Sequence, residues 1–386
     1  MTDDLSAAPT AVTTAPVRYP IDFTGSGSEY FRIWIVNLLF IVVTVGIYSA
    51  WAKVRKLQYF YRNTQLAGAA FDFHGSPLKI LLGRVIAVAL FVAYNYSFQF
   101  SPWAALAAIG MALVAAPWLV QRAIRFKHVN SSYRGLRFGF TGTTAQAYGA
   151  LGPAVALVLL PSTAAVVLQL LGDGGTVWPV LVASAALLLL YPWLHFRFKR
   201  FHHGHARYGA LAGQFSADWD DFYKVYFPLV IILIGWMALL IALMFGVFQL
   251  IGPVERGAEP SLMQLALIYA AVMLAYGLLL VSVAPFMVSR LQNLIWGRTT
   301  LGPIGFDSAL RFGPTMRLYL KNAVLIALTL GLYWPWAAVA VAKLRLAAVT
   351  VVAPVALDDV IGSADDAGVA ATGDAAADVF GFDIGL

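Results

Sequence analysis

The sequence contains no cysteine, and only 12% of its 386 residues are charged. The absence of cysteine excludes disulfides, thiolate chemistry and cysteine-ligated metals. A water-soluble domain carries about 25% charged residues, whereas 60% of this chain is hydrophobic and its mean hydropathy is +0.76. These values exclude an ordinary soluble protein and indicate a protein of the lipid bilayer.

Acidic residues are also missing from the apolar parts of the chain. Eight apolar stretches have about the length of ~20 residues that a membrane-spanning helix needs, and none of them contains Asp or Glu. Carriers coupled to protons or sodium often use an intramembrane carboxylate, so this class is disfavoured. The eight stretches are Ile33–Ala52, Ile80–Phe98, Trp103–Val120, Leu151–Leu171, Val177–Phe196, Val225–Ile251, Leu262–Val288 and Leu318–Ala342.

Catalytic motifs are absent as well. The sequence has no glycine-lysine phosphate loop, no Gly-x-Ser-x-Gly elbow and no His-Glu-x-x-His. His202, His203 and His205, with His195 nearby, could ligate a metal, but no Cys or Glu accompanies them. We therefore expect a solvated basic loop there, no bound metal or cofactor, and no enzymatic activity.

Basic residues concentrate in four long connections. Residues 53–79, 121–150, 197–224 and 289–317 hold 19 of the 26 Lys and Arg residues. By the positive-inside rule, these connections face the cytoplasm. The net charge of +7 is thus an orientation signal and not a sign of nucleic-acid binding.

Each of these connections begins with an aromatic residue followed four residues later by Arg. The simpler explanation is an interfacial anchor with a snorkelling cation. The alternative is a binding site for anionic lipid headgroups, at about 1 kcal/mol per cation near the surface. A polar position follows twelve residues after each aromatic. The pairs are Trp51 and Arg55, Trp118 and Arg122, Trp193 and Arg197, and Phe286 and Arg290.

Each connection also contains an alternating aromatic segment, which predicts a short β-strand. Phe71-Asp72-Phe73 and Phe138-Gly139-Phe140 are the clearest, and their period of two suggests a small cytoplasmic β-layer. The markers recur, so the sequence predicts a tandem repeat of five units. The predicted domains are a disordered arm (1–18), a transmembrane domain (units 19–65, 66–130, 131–205, 206–298 and 299–350) and an acidic Ala/Gly/Asp tail (351–386).

The first and last apolar stretches allow two topologies. If both span the membrane, the chain has eight helices with both tails outside. If both re-enter at Gly46 and Gly331, six helices span and both tails are cytoplasmic. The lengths favour eight spans, whereas the charge bias favours re-entry. The predicted fold class is an all-α polytopic membrane protein with about eight apolar helices and basic loops that carry short strands.

Two asparagines occupy matched places in the first and last units. Asn37 and Asn322 are intramembrane polar groups, which are candidates for function by default. An interhelical hydrogen bond, worth ~0.6 to 2 kcal/mol, is the simpler explanation.

The first unit resembles a known family. The segments Glu29–Leu39, Thr44–Arg55 and Tyr59–Thr64 are similar to the YjgN family of bacterial inner-membrane proteins, a domain of unknown function. The resemblance covers residues 19–350. Ala50 stands where the family more often has Pro, and Ala340 where it has Arg. The resemblance implies a polytopic inner-membrane location and brings no catalytic residue.

The sequence leaves three functions open. The first is a transporter or channel for a small or amphipathic solute, because many transporters are built from repeats. The second is a non-catalytic membrane protein that binds lipid or scaffolds partners. The third, a membrane enzyme acting on lipid, has the least support. The expected partners are membrane lipids with anionic headgroups, and a homo-oligomer is left open.

Overall fold

The computed structural model describes residues 16–173, 175–251 and 261–368. The predicted arm up to residue 15 and the predicted tail beyond residue 368 lie outside the described residues. The strands are β1 (Val17–Phe23), β2 (Thr64–Leu66), β3 (Ala69–Phe73), β4 (Ser131–Tyr133), β5 (Leu136–Phe140), β6 (Ala206–Tyr208), β7 (Leu211–Phe215), β8 (Thr299–Leu301), β9 (Ile304–Ser308) and β10 (Val349–Ala353). The helices are α1 (Gly27–Val43), α2 (Ser49–Arg62), α3 (Pro77–Phe100), α4 (Pro102–Val129), α5 (Thr144–Leu170), α6 (Trp178–Gly204), α7 (Trp219–Ile251), α8 (Leu262–Gly297), α9 (Phe312–Leu328), α10 (Trp334–Ala347) and α11 (Leu357–Gly368).

The strands form one closed antiparallel barrel. Each strand pairs with the strand before it and the strand after it in the chain, and β1 closes the barrel by pairing with both β2 and β10. The predicted aromatic strands lie in it, with Phe71 opposite Tyr133 and Phe138 opposite Tyr208. Closure leaves no edge strand open to another chain.

This barrel corrects the predicted fold class. An all-α protein was expected, with at most a small β-layer, and that prediction is wrong because six separate parts of the chain build a complete barrel. Helices α1 to α10 are inserted as five pairs. The pairs lie between β1 and β2, β3 and β4, β5 and β6, β7 and β8, and β9 and β10. Since neighbouring strands are antiparallel, all five insertions leave from the same rim, and the tight hairpin turns occupy the opposite rim.

The polar position twelve residues after each aromatic is where a helix joins the barrel. Asn63, Asn130, His205 and Arg298 each form the C-cap of the helix that leads into a strand. Their backbone carbonyls accept hydrogen bonds from the residue that follows a neighbouring strand, at 2.7 to 2.9 Å in the pairs Thr24–Asn63, His74–Asn130, Thr141–His205 and Ser216–Arg298. These bonds satisfy carbonyls that a helix end leaves without an intrahelical donor.

The first apolar stretch is broken by a tight turn. Val45 and Gly46 have φ values of 49° and 90°, in the left-handed region that glycine adopts readily. Gly46 N donates to Ile41 O over 2.8 Å, a six-to-one bond of the kind that terminates helices. Thr44 Oγ1 accepts a hydrogen bond from Tyr48 N over 3.0 Å, just before α2 begins at Ser49. Leu330 and Gly331 repeat this geometry, with φ values of 50° and 92°.

The turns correct the eight-span prediction. Both halves of the first and last helix pairs join the same rim of the barrel, so each of these stretches consists of a helix, a tight turn and a second helix that runs back. α1 and α9 have 17 residues each, which is about 25 Å at 1.5 Å per residue. Six other helices, α3 to α8, are long and apolar enough to cross a membrane.

The helices form a ring beside the barrel. Each of α1 to α10 packs against the helix before it and the helix after it, and α1 packs against α10. The order of helices around the ring is therefore the order of strands around the barrel. As a result, helix ends from the whole ring meet at the barrel rim.

The last described helix lies across the other end of the barrel. Leu357 and Val360 of α11 are 3% and 5% exposed and belong to the barrel core. Leu357 N donates to Tyr19 Oη over 3.1 Å, and Asp358 forms an ion pair with Arg134 in the β4–β5 turn. A solvated tail was expected from residue 351, but this part of it is folded onto the barrel.

Candidate functional site

The predicted aromatic and arginine pairs lie where their helices approach the barrel. The guanidinium carbons of Arg122, Arg197 and Arg290 lie 5.8, 4.9 and 5.9 Å from the ring centroids of their aromatic partners, Trp118, Trp193 and Phe286. Such cation–π contacts are worth ~0.5 to 2 kcal/mol. The structure thus pairs these residues as the spacing of four predicts.

The first pair is arranged differently. Arg55 lies over the Tyr48 ring at 5.7 Å, while Trp51 stacks on Tyr48 with the ring centroids 6.0 Å apart. Arg55 is exposed and Arg197 is half-buried. Arg197 donates to Ala150 O over 3.1 Å and also to Gly149 O, so it links α6 to α5. Contact of these arginines with lipid headgroups stays a prediction.

The two predicted asparagines are both 5% exposed. Asn37 Oδ1 accepts a hydrogen bond from Arg55 Nη1 over 3.4 Å. Both side-chain polar atoms of Asn322 are buried and have no hydrogen-bond partner among the described residues. The two asparagines occupy matched places in the sequence but have unlike surroundings.

A cavity of about 610 Å³ lies inside the barrel and continues between the helix ends. Its wall is apolar and aromatic. Phe71 and Tyr133 stack with their ring centroids 4.6 Å apart, and the rings of Phe138 and Tyr208 are 4.8 Å apart. The wall side chains are Ile21, Leu66, Phe71, Tyr133, Phe138, Tyr208, Leu301, Ile304, Phe306 and Val351.

Tyrosine hydroxyls in this wall are satisfied by the barrel backbone. Tyr133 Oη donates to Leu66 O over 2.6 Å, and Tyr208 Oη donates to Tyr133 O over 2.9 Å. Burial raises the pKa of the Tyr133 phenol, which keeps it neutral and able to donate. The wall therefore presents rings rather than hydroxyls to the interior.

The two ends of the barrel cavity differ. Leu357 and Ile361 of α11 line the end at the hairpin turns. At the other end the cavity reaches His195 of α6 and Met287 and Val288 of α8. These residues lie within two positions of Trp193 and Phe286. We call the four aromatic residues that are paired with arginine the edge aromatics. The cavity therefore extends from α11, which we call the capping helix, to the part of α6 and α8 that carries Trp193 and Phe286.

Polar side chains from the helix ends also line this cavity. We call Lys127, Lys199 and Arg345 the cation cluster; they come from α4, α6 and α10, and all line the cavity. Lys199 is only 6% exposed. Arg345 Nε donates to Gln292 Oε1 over 2.8 Å, and Gln292 Nε2 donates to Arg345 O over 2.9 Å.

No carboxylate lies among the lining residues of the cavity in the described part of the chain. The ion pairs found among residues 16–173, 175–251 and 261–368 use other cations, namely Arg18, Arg62, Arg134, Lys224 and Arg298. Burial lowers the pKa of the Arg345 guanidinium, but an arginine side chain stays protonated in proteins and keeps its charge. The cavity therefore carries positive charge that no nearby carboxylate balances.

The histidines belong to the same region. The sequence predicted a solvated loop, whereas α6 continues to Gly204 and both His202 and His203 line the cavity. His202 Nδ1 and His203 Nε2 are buried without a hydrogen-bond partner in the described chain. The ring centroids of His128 and His202 are 5.2 Å apart. Within the described residues, no group of three or more potential ligands is arranged to hold a metal ion.

Sequence reasoning missed the cation cluster, although a signal was present. Lys127 and Arg345 each stand three residues before a helix C-cap, and Lys199 stands six residues before one. Positions three residues apart share a helix face. Counting back from the polar position would have found Lys127 and Lys199, whereas Ala348 stands at the corresponding place after Arg345.

Comparison with known proteins identifies relatives of this chain. It matches the family described as "Bacterial protein of unknown function (DUF898)" over residues 18–379. A relative from Salmonella typhimurium strain LT2, named inner membrane protein YjgN, is 22% identical over 339 residues, covering 83% of this chain and 85% of the relative. No solved structure matches.

Two further relatives with the same name are similar over a shorter part. Those of Escherichia coli O157:H7 and K12 are 30% and 29% identical over 123 and 124 residues, covering 31% of this chain and 30% of each relative. The resemblance found in the sequence is confirmed. The chain therefore belongs to the DUF898 family of bacterial proteins, and the relatives it matches are named inner membrane proteins.

Proposed function

We propose that this protein binds an amphipathic solute in the barrel cavity and carries it between the cavity and the inner membrane. The observation that carries the proposal is the extent of the cavity. Its apolar wall is continuous with Met287 and Val288, at the level of the edge aromatics. In this proposal the protein is not an enzyme.

The size and lining of the cavity support a small-molecule ligand. Ligand pockets typically measure about 300 to 1,000 Å³ and are lined mainly by hydrophobic and aromatic side chains, with a few polar groups that orient the ligand. The barrel cavity measures about 610 Å³ and fits this description. An open aqueous channel is disfavoured, because α11 packs its buried Leu357 and Val360 onto the barrel core.

The orientation in the membrane is part of the proposal. We infer that the barrel lies on the cytoplasmic side, because the four basic connections lead into it and positive loops are retained in the cytoplasm. Under this orientation, the protein takes its solute from, or releases it to, the inner leaflet.

A binding assay with a matched pair of variants tests the proposal. Ala206 lines the cavity, whereas Ala212 is exposed. In nanodiscs of zwitterionic lipid, we expect tritiated dodecanol to bind the wild type. Binding should fall in Ala206→Leu, which fills the cavity, and should not change in Ala212→Leu. Equal binding by the two variants, or none by the wild type, would overturn the proposal.

A second role at the membrane surface has its own support. We propose that the arginines beside the edge aromatics contact anionic headgroups, because Arg55 and Arg290 are exposed next to aromatic rings. Changing Arg55, Arg122, Arg197 and Arg290 to Ala should reduce the anionic lipid retained in native mass spectrometry. Unchanged retention would refute this role.

A further inference from the structure

The cation cluster is assembled by the fold and not by the local sequence. Lys127, Lys199 and Arg345 lie on three helices that are separated in the ring, and the barrel rim brings their ends to one cavity. Each faces a space whose other side is the apolar wall. Positive charge is thus concentrated at one level of a largely apolar chamber.

These charges lack compensation in the described chain. The nearest polar partner of Arg345 is the neutral Gln292, and Lys199 lies 5.5 Å from the centroid of the Phe198 ring. Neither lysine forms an ion pair with any described carboxylate, and the cavity lining contains no Asp or Glu. Burying an ion without a counter-charge costs several kcal/mol, and like charges in a medium of low dielectric repel one another.

An anion at this level would remove that penalty. A carboxylate or phosphate oxygen accepts charge-assisted hydrogen bonds from lysine and arginine, which are about twice as strong as neutral ones. His202 Nδ1 and His203 Nε2, which have no partner in the described chain, lie in the same lining and could add further polar contacts. The wall above them offers rings to an alkyl chain.

Resting on the proposed function, we propose that the solute is an amphiphile with an anionic head, a carboxylate or a phosphate. The head lies at Lys127, Lys199 and Arg345, and the alkyl chain lies against Phe71, Tyr133 and Phe138. The cation cluster thus determines the class of ligand, while the apolar wall supplies affinity for any alkyl chain.

Four probes with the same twelve-carbon chain separate these two contributions. Dodecanoate, dodecyl phosphate, dodecanol and dodecylamine are compared as tritiated ligands in nanodiscs of zwitterionic lipid. We expect either anion to bind at least about tenfold more tightly than dodecanol, as one charge-assisted contact implies, and dodecylamine to bind most weakly. The tighter of the two anions identifies the head.

Variants of the cation cluster test its role. Lys199→Gln and Arg345→Gln should weaken anion binding about tenfold and leave dodecanol binding unchanged. The exposed neighbours provide the controls Arg200→Gln and Lys343→Gln, which should keep wild-type binding. Lys199→Arg should retain the preference for anions.

Thermal unfolding supplies a readout that does not depend on detecting bound ligand. Because Lys199 is an uncompensated buried charge, Lys199→Gln should unfold at the same temperature as the wild type or higher. Dodecanoate should raise the midpoint of the wild type more than that of the variant, since a ligand stabilises the state that it binds.

The outcomes separate this inference from the proposed function. Equal binding of dodecanol and both anions, blocked by Ala206→Leu, would overturn the anionic head and leave the cavity as the binding site. The anionic head is also overturned if Lys199→Gln weakens all four probes alike. If no probe binds the wild type, the proposed function fails and this inference fails with it.

Discussion

Arg55 donates a hydrogen bond to Asn37 across the first re-entrant turn, with 3.4 Å between the guanidinium nitrogen and the amide oxygen. The two residues are 18 positions apart. Eighteen positions after Asn322 the chain has Ala340, and the amide of Asn322 is buried without a partner in the described residues. The missing arginine accounts for the unpaired amide oxygen of Asn322.

Restoring that arginine should stabilise the last helix pair. A buried polar group without a partner costs about 1 to 3 kcal/mol, so Ala340→Arg should raise the thermal midpoint of the protein in detergent. Arg55→Ala should lower it by creating the same defect at Asn37. Differential scanning fluorimetry measures both changes.

Two controls isolate the hydrogen bond. Ala340→Met supplies a long chain without a guanidinium, and Lys56→Ala removes an exposed cation next to Arg55. If Ala340→Arg is no more stable than Ala340→Met, the missing hydrogen bond is not the cause of the defect.

We expect alanine to have opposite effects on stability at two glycines, one in the first turn and one within a helix. Gly46 has a φ of 90° and open space around it, so Gly46→Ala should destabilise the protein by about 1 to 2 kcal/mol through backbone strain. Gly110 lies within α4, also with open space, and Gly110→Ala should stabilise the protein by up to about 1 kcal/mol. Unfolding curves that shift in the same direction for both variants would contradict the left-handed turn.

The side of the barrel can be measured because the chain has no cysteine. Single cysteines at the exposed residues Ala70 and Val355 lie on the barrel side, and those at Gln99 and Asp173 lie at the far ends of the helical hairpins. In intact spheroplasts, an impermeant maleimide should label the second pair and leave the first unlabelled until the membrane is permeabilised. Different labelling of Ala70→Cys and Val355→Cys would refute a barrel that holds both ends of the chain.

The capping helix should control access to the cavity. Ile304 is 4% exposed and lines the barrel cavity, so a thiol in Ile304→Cys should react slowly with a soluble methanethiosulfonate. Replacing both Leu357 and Val360 by Ser removes the apolar contacts of α11 and should speed the reaction at least tenfold.

Two further variants serve as controls for the capping helix. Removing residues 370–386 should leave the rate at Ile304→Cys unchanged. The exposed variant Ala212→Cys should react quickly whether α11 is altered or not. An unchanged rate at Ile304→Cys after loss of both apolar contacts would show that α11 does not limit access.

The sequence predicted the local pieces of this fold. The spacing of four correctly placed Arg122, Arg197 and Arg290 beside their aromatic partners on one helix face, and the period of two at Phe71 and Phe73 correctly located a strand. Both signals operate over a few residues. The pairing of the strands, in contrast, joins residues that are far apart in the sequence. Phe215 lies opposite Thr299, and Val17 lies opposite Ala353. Local periodicity carries no information about partners so far apart, and the barrel was therefore missed.

The eight-span prediction and the predicted tail were wrong because length and composition were given more weight than turn geometry and residue spacing. The length of Ile33–Ala52 suits a spanning helix and a re-entrant pair equally, and only the turn geometry at Val45 and Gly46 separates them. In α11, the Ala/Gly/Asp composition suggested a tail. The apolar residues Leu357, Val360 and Ile361 fall at positions i, i+3 and i+4, a spacing that predicts one buried helix face.

Closure of the barrel by β1 and β10 also sets an order for biosynthesis. Val17 and Val349 are 349 − 17 = 332 residues apart, so at roughly 5 to 20 residues per second the ribosome needs about 17 to 66 s between making the first strand and the last. During that interval β1 lacks its partner β10, while the membrane-length helices between them are already being made. Completion of the barrel thus has to wait for its last strand, and the cavity forms only after all five helix pairs have been made.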